Sequence, residues 1–145
     1  MSFRGKRVLI TGGGSGTGAD LARGFAEAGA EVVIAGRRAD ALARVAARFP
    51  GMRTVLADVT DEASVRAMFA AAGPCDIVIA NAGAADSAPL HRTTLAQWNA
   101  MLAVNLTGTF LTLRDGLTQM QGWGRLISVA STAGLKGYAK IAPYA

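Results

Sequence analysis

The segment Thr11-Gly-Gly-Gly-Ser-Gly-Thr-Gly18 constrains this chain more than any other. It follows a short β-branched run at residues 8–11 and precedes an amphipathic stretch, so it joins a strand to a helix. Three of its glycines sit where such a junction needs them. Gly12 lets the backbone leave the strand tightly. Gly16 lets the backbone approach a pyrophosphate. Gly18 lets the helix pack closely. The helix N-terminus then offers free N–H groups and a positive dipole end to phosphate oxygens. A glycine-rich turn alone is weak evidence. Between a strand and a helix it reads as a dinucleotide-binding loop, with Ser15 and Thr17 beside the phosphates.

Four more short apolar runs follow, at residues 31–35, 53–57, 76–80 and 125–129. They are apolar without alternation, as strands covered on both faces are. Helical patterns lie between them. Leu42, Val45, Ala46 and Phe49 fall at i, i+3, i+4 and i+7, and so do Val65, Met68, Phe69 and Ala72. Each set places one apolar stripe toward a sheet. Thr60, followed by Asp61 and Glu62, marks a helix start, and Thr94 with Gln97 reads as a capping box. This rhythm implies right-handed βαβ units. The expected fold class is α/β, a doubly wound parallel sheet of about five strands. No linker, repeat or low-complexity tract interrupts it, so residues 1–145 are expected to form a single domain.

Composition narrows the function classes. Apolar types make up 51% of the 145 residues and charged types 17%, which excludes a disordered chain. No apolar run approaches the ~18 residues of a membrane span, so no membrane partner is expected. One cysteine cannot form an internal disulfide, and one Cys with one His cannot build a structural zinc site. No metal is expected, and the default location is cytoplasmic. The net charge is +5, but the 15 basic residues are spread along the chain. The tight groups are Arg4/Lys6/Arg7 and Arg37/Arg38. A solvated surface accounts for them better than nucleic acid, which only the charge favours.

The spacing Gly-x-x-x-Gly-x-Gly resembles the short-chain dehydrogenase/reductase family, whose loop reads Thr-Gly-x-x-x-Gly-x-Gly. Other marks of that family follow in its order. Asp58-Val59 succeeds the third run and Asn81-Ala82-Gly83 the fourth. Asn105 lies in Val104-Asn-Leu-Thr-Gly108. Ser131 ends the fifth run, and Tyr144 stands thirteen positions later. The resemblance extends from about Lys6 to the last residue and implies the Rossmann-like form of the fold. It implies an oxidoreductase that moves hydride between a nicotinamide cofactor and a small carbonyl or secondary alcohol. Asp58 would accept a hydrogen bond from the adenine amino group, with Val59 beside it, and Asn81, Ala82 and Gly83 would support the sheet beside the cofactor. Ser131 would orient the carbonyl oxygen, Tyr144 would act as acid/base, and Asn105 would anchor a relay water. A homo-tetramer or homo-dimer, packed partly through the helix around residues 98–117, is also implied.

Several residues carry arguments of their own. Gly36 stands where NAD-preferring members of the family have an Asp, and Arg37 and Arg38 follow. A guanidinium suits a 2′-phosphate by charge-assisted bidentate bonding, so NADP(H) is expected, with NAD(H) the alternative. Ser15 departs from the basic residue that many NADP-binding members carry there. Asn105 continues the apolar stripe of Trp98, Met101 and Leu102, where a buried amide must find partners. Asp86, Ser87 and His91 could be mistaken for a triad, but a surface loop is the expected setting. Cys75 is expected to be a buried or half-buried thiol. Gly134, Leu135, Gly137 and Tyr138 are expected to form an apolar substrate wall.

The family pattern continues as Tyr-x-x-x-Lys, and that lysine would fall at position 148, past Ala145. Without a neighbouring cation a tyrosine, of ordinary pKa about 10, stays a neutral phenol at pH 7. The expectation is therefore that these residues are a portion of a longer enzyme. The later elements of the family fold would lie outside them, and the portion alone would be inactive. Apolar sheet and helix surface would then be left uncovered. The alternative is a non-catalytic dinucleotide-binding module or regulator that needs a partner chain.

Overall fold

A computed structural model describes residues 2–144. The chain runs β1 (Arg7–Thr11), α1 (Gly16–Glu27), β2 (Glu31–Gly36), α2 (Ala39–Ala46), β3 (Arg53–Leu56), α3 (Glu62–Ala72) and β4 (Ile77–Ala80). It continues through α4 (Leu95–Leu102), a π-helical turn (Ala103–Thr107), α5 (Gly108–Gln119) and β5 (Arg125–Ser128). The five strands form one parallel sheet in the order β3-β2-β1-β4-β5. Leu9 lies opposite Val33 on one side and Val78 on the other.

Helices cover both faces, which is why the central strands read as unbroken apolar runs. Val8, Ile10, Ile34, Ile77 and Ile79 pack with Ala22 of α1 and Leu42 of α2. Leu9, Val33 and Val78 point the other way, against Val65, Met68 and Phe69 of α3 and Leu111 of α5. Successive residues of a strand face opposite sides, so each face receives a full apolar set. At the edge, Ile127 of β5 and Val129 are each 40% exposed. Leu106, Phe110 and Leu117 are exposed on the helical side.

Some boundaries differ from the sequence pattern for identifiable reasons. The fourth strand starts at Ile77, although the Asp76 backbone still bonds to Arg7 and Arg125, and the Asp76 side chain forms a polar tie. Its carboxylate accepts from Lys6 Nζ at 2.8 Å and from the Arg7 backbone N–H at 2.9 Å. α2 stops one turn before Phe49, where Pro50 disfavours helical backbone in the residue before it. The cap of α3 is Asp61, not Thr60: its carboxylate accepts from the Ala63 N–H at 3.0 Å. The capping box of Thr94 and Gln97 is formed as expected. The Trp98 stripe is not continuous. Trp98 is 40% exposed while Met101 is buried, and the π turn inserts an extra residue that rotates Asn105 off the helical register. Cys75 is buried, and burial pushes its thiol up to about 11.

The first turn of α1 lies hard against the end of β1. A Cβ at Gly18 would stand 2.3 Å from the Gly12 carbonyl oxygen and 2.5 Å from Asn81 Nδ2. Gly24, on the same helix, has open space. Gly18→Ala is expected to destabilise the fold by about 2 kcal/mol, as overpacking against backbone does. Gly24→Ala should stabilise it slightly, through helix propensity. Urea-unfolding midpoints for the two variants check this; equal shifts would mean that the close approach is not limiting.

Candidate functional site

The strand order reverses direction between β1 and β4, and a crevice opens there at the carboxyl ends of the strands. It holds a cleft of about 780 Å³. Its floor is a polar clasp. Thr11, only 1% exposed, accepts at Oγ1 from the backbone N–H groups of Asn81 and Ala82, both at 3.1 Å. The Asn81 side chain returns a hydrogen bond from Nδ2 to the Thr11 carbonyl at 2.9 Å. Thr11 was not singled out from the sequence as a site residue. The available signal was a lone hydroxyl closing the apolar run Val8-Leu9-Ile10.

The glycine loop turns above this clasp. Gly12 leaves the strand at φ +68, a conformation that favours glycine. Gly12, Ser15, Thr17 and Gly18 line the cleft, but Gly16 does not. A Cβ at Gly16 would meet nothing within 4 Å. Its φ of +52 is one that favours glycine. Gly13 was overlooked: a Cβ there would strike Ile34 at 2.6 Å.

Arg37, Arg38, Asp58 and Val59 line the cleft from the ends of β2 and β3. Arg38 Nη2 donates to Ser15 Oγ at 3.3 Å. Asp58 Oδ1 accepts from the Thr60 N–H at 2.9 Å and from the Thr60 hydroxyl at 2.7 Å. These bonds hold the Asp58 carboxyl below the usual carboxylate range, and the Arg37 charge adds to the effect.

Asn81, Ala82, Gly83, Asn105, Ser131 and Tyr144 line the other end. Asn105 projects from the π turn onto Ala84. Its Oδ1 accepts from the Ala84 N–H at 2.9 Å and its Nδ2 donates to the Ala84 carbonyl at 2.8 Å. Ser131 follows β5, and its Oγ accepts from the Ala133 N–H at 3.1 Å. Tyr144 is half-buried. The segment before it is tied to the loop after β4: Ser87 Oγ donates to the Lys140 carbonyl at 3.1 Å, and Ala88 bridges to Ile141. Asp86 accepts from Gln97 Nε2 at 3.0 Å and His91 is exposed, so Asp86, Ser87 and His91 form no triad. Of the expected apolar wall only Gly134 reaches the cleft; Leu135 is 92% exposed.

A glycine loop at a helix N-terminus and paired arginines at the second strand end share one cleft of a doubly wound parallel sheet. A serine and a tyrosine stand across the same cleft. The chain belongs to the short chain dehydrogenase family, whose model matches residues 6–145. It is 37% identical over 143 residues to the NADP-dependent (R)-specific alcohol dehydrogenase of Lentilactobacillus kefiri, covering 94% of this chain and 57% of that one. It is 41% identical over 154 residues to the cis-4-hydroxycyclohexanecarboxylate dehydrogenase of Sinomonas cyclohexanicum, covering 99% and 61%. The crystal structure of a short-chain type dehydrogenase/reductase from Mycobacterium marinum matches with a TM-score of 0.91 at 33% identity, covering 99% of this chain and 61% of that one. The chain thus spans 57% and 61% of the two relatives' lengths. Among the described residues, no helix is long and apolar enough to cross a membrane.

The Asp58 cluster gives a pH test. Its carboxyl titrates below the unfolded value of about 3.9, so its contribution to stability is present above that pH and lost as pH falls through the folded value. Thr60→Val removes the hydroxyl donor and should raise the Asp58 midpoint. Carboxyl-carbon NMR titration reads the shift; an unmoved midpoint would remove the Thr60 hydroxyl as a cause.

Proposed function

We propose that the chain carries the cofactor site and the Ser–Tyr centre of an NADP(H)-dependent oxidoreductase acting on a carbonyl or secondary alcohol. One observation carries the reading. A single cleft gathers the glycine loop, the two arginines, Asn105, Ser131 and Tyr144 at the carboxyl ends of the strands. The donor set suits the cofactor. Backbone N–H groups at the start of α1 would hold the pyrophosphate, and Arg37 and Arg38 would hold the 2′-phosphate. Asp58, ionised at neutral pH, would accept from the adenine amino group. Asn81, Ala82 and Gly83 form the floor beside the nicotinamide half.

Bound NADPH supplies the hydride that reaches the carbonyl carbon. The chain's own groups manage the oxygen. Ser131 Oγ already accepts from Ala133, so its proton is the part left to hydrogen-bond the carbonyl oxygen. Tyr144 gives its phenolic proton to that oxygen in reduction and takes it back in oxidation. Asn105 fixes the loop at Ala84, leaving a second lone pair on Oδ1 for a relay water. The exposed Leu106, Phe110 and Leu117 support a second copy packing on this side, as a homo-dimer or homo-tetramer.

In the complete protein, Tyr144→Phe should lower carbonyl reduction by about 10²–10⁴-fold, the usual contribution of a positioned acid. NADPH affinity, followed by its fluorescence, should be unchanged. Turnover equal to the parent protein would take Tyr144 out of the reaction. NADPH binding without turnover of any carbonyl by the parent would favour the non-catalytic module.

A further inference from the structure

Asp86 and Ser87 form no triad, but they stand in the middle of a chain of hydrogen bonds. It begins at the start of α4. Gln97 accepts at Oε1 from the Thr94 N–H at 2.9 Å, which closes the capping box. Its amide nitrogen donates to Asp86 Oδ2 at 3.0 Å. Asp86 Oδ1 accepts from the Ser87 N–H at 2.8 Å. The Ser87 hydroxyl then donates to the Lys140 carbonyl at 3.1 Å, across 53 positions of sequence. Ala88 bridges to Ile141, and the Tyr144 N–H closes a turn on the Ile141 carbonyl at 2.8 Å. The chain of bonds thus runs from a helix cap to the tyrosine.

Two further observations bear on it. Gln97 is half-buried, while Leu95, Ala96, Trp98 and Asn99 beside it are exposed, so on this turn of α4 the amide is the group turned inward. Lys140, whose carbonyl Ser87 holds, has a φ of +66, and it is the one non-glycine residue with positive φ among the described residues. Such a conformation persists only where its neighbours hold it. The Ser87 bond falls on Lys140 itself and the bridge on the next residue.

We infer that Gln97 and Ser87 are positioning residues for Tyr144: the capping box of α4 sets the loop after β4, and that loop sets the segment carrying the tyrosine. Neither side chain lines the cleft, so both act through other residues. The inference rests on the acid/base reading of Tyr144 above and adds what holds that side chain in place. A phenol must stand within hydrogen-bond reach of the carbonyl oxygen to pass its proton, and a misplacement of about 1 Å can cost on the order of 10²-fold in rate.

Gln97→Glu separates the two duties of its side chain. A carboxylate there still accepts from Thr94, as capping boxes ordinarily use, but it has no proton for Asp86. Ser87→Ala removes the hydroxyl donor, and Ser87→Thr keeps one. The complete protein is followed by amide hydrogen exchange and by NADPH oxidation with whichever of cyclohexanone and ethyl acetoacetate the parent reduces faster. Exchange at the Tyr144 N–H should rise about three- to tenfold in Gln97→Glu and in Ser87→Ala, the effect of losing one hydrogen bond. Exchange within α4 should stay within about twofold, and Ser87→Thr should match the parent. The double variant should exceed Ser87→Ala by less than about twofold, as links in series do. In each single variant kcat should fall about tenfold. NADPH affinity, read by fluorescence, should stay within about twofold. Unchanged exchange at Tyr144, unchanged kcat, additive losses, or an α4 that opens together with Tyr144 would each overturn the inference while Tyr144→Phe still abolishes turnover. A Tyr144→Phe variant as fast as the parent would overturn the acid/base reading and this inference with it. With neither ketone reduced, exchange alone decides: a Tyr144 N–H as protected in Ser87→Ala as in the parent overturns the tie.

Discussion

The clasp between Thr11 and Asn81 is the constraint on which the cleft depends. The two central strands end side by side, and beyond them the chain departs in opposite directions. Where they part, the Asn81 and Ala82 N–H groups and the Thr11 carbonyl are met by side chains. Thr11 answers both N–H groups with one oxygen, and Asn81 answers the Thr11 carbonyl with its amide. A buried hydroxyl or amide left unpaired would cost about 1–3 kcal/mol, so the two side chains are stable there only together. Their pairing also places Asn81 Nδ2 against α1, where only a glycine fits at position 18. The start of α1, and with it the direction in which its N–H groups point, is thus set by a threonine and an asparagine 70 residues apart.

Charge is arranged with the same economy. Lys6 and Arg7 are neutralised at the opposite end of the sheet by Asp76 and Glu31. Arg114 joins α5 to α3 through Glu62. At the mouth of the cleft the pattern changes, and Arg37 and Arg38 are left without carboxylate partners among the described residues. Exposed ion pairs contribute little to stability, so leaving two cations unpaired sacrifices little of the fold. It keeps a positive field at one edge of an otherwise near-neutral cleft, where an anionic ligand would be drawn in.

The fold was largely legible in the sequence because burial on both faces removes alternation. Val8, Leu9 and Ile10 read as a strand for the same reason that each is fully buried. The boundaries that moved did so beside side-chain ties, one distant and one local: the Asp76 carboxylate is held by Lys6 and Arg7, and Thr60 by Asp58 two residues away. The loop residues of the site were legible from spacing, since Gly12 and Gly18 answer to local geometry. Thr11, Gly13, Ser87 and the Ser15–Arg38 bond were not, because each depends on a residue more than twenty positions away. Asn105 was visible as a polar interruption of an apolar stripe. Its partner, Ala84, contributes only backbone, which no side-chain pattern reveals.

The two ends of the cleft are held by different physics. The glycine-loop end is framed by β1 and β2, whose central side chains are almost wholly buried, and by the more exposed edge strand β3, so packing fixes most of its geometry. The Ser131 and Tyr144 end stands on the edge strand β5 and on a segment fixed by the Ser87 hydroxyl and one backbone bridge. Few buried contacts and exposed backbone give such a region a low free energy of local opening. On the function proposed above, a dinucleotide would need fixed phosphate and adenine subsites, and a substrate would have to enter and leave. The rigid end of this cleft is accordingly the one built from the core, and the yielding end is the one that carries the serine and the tyrosine.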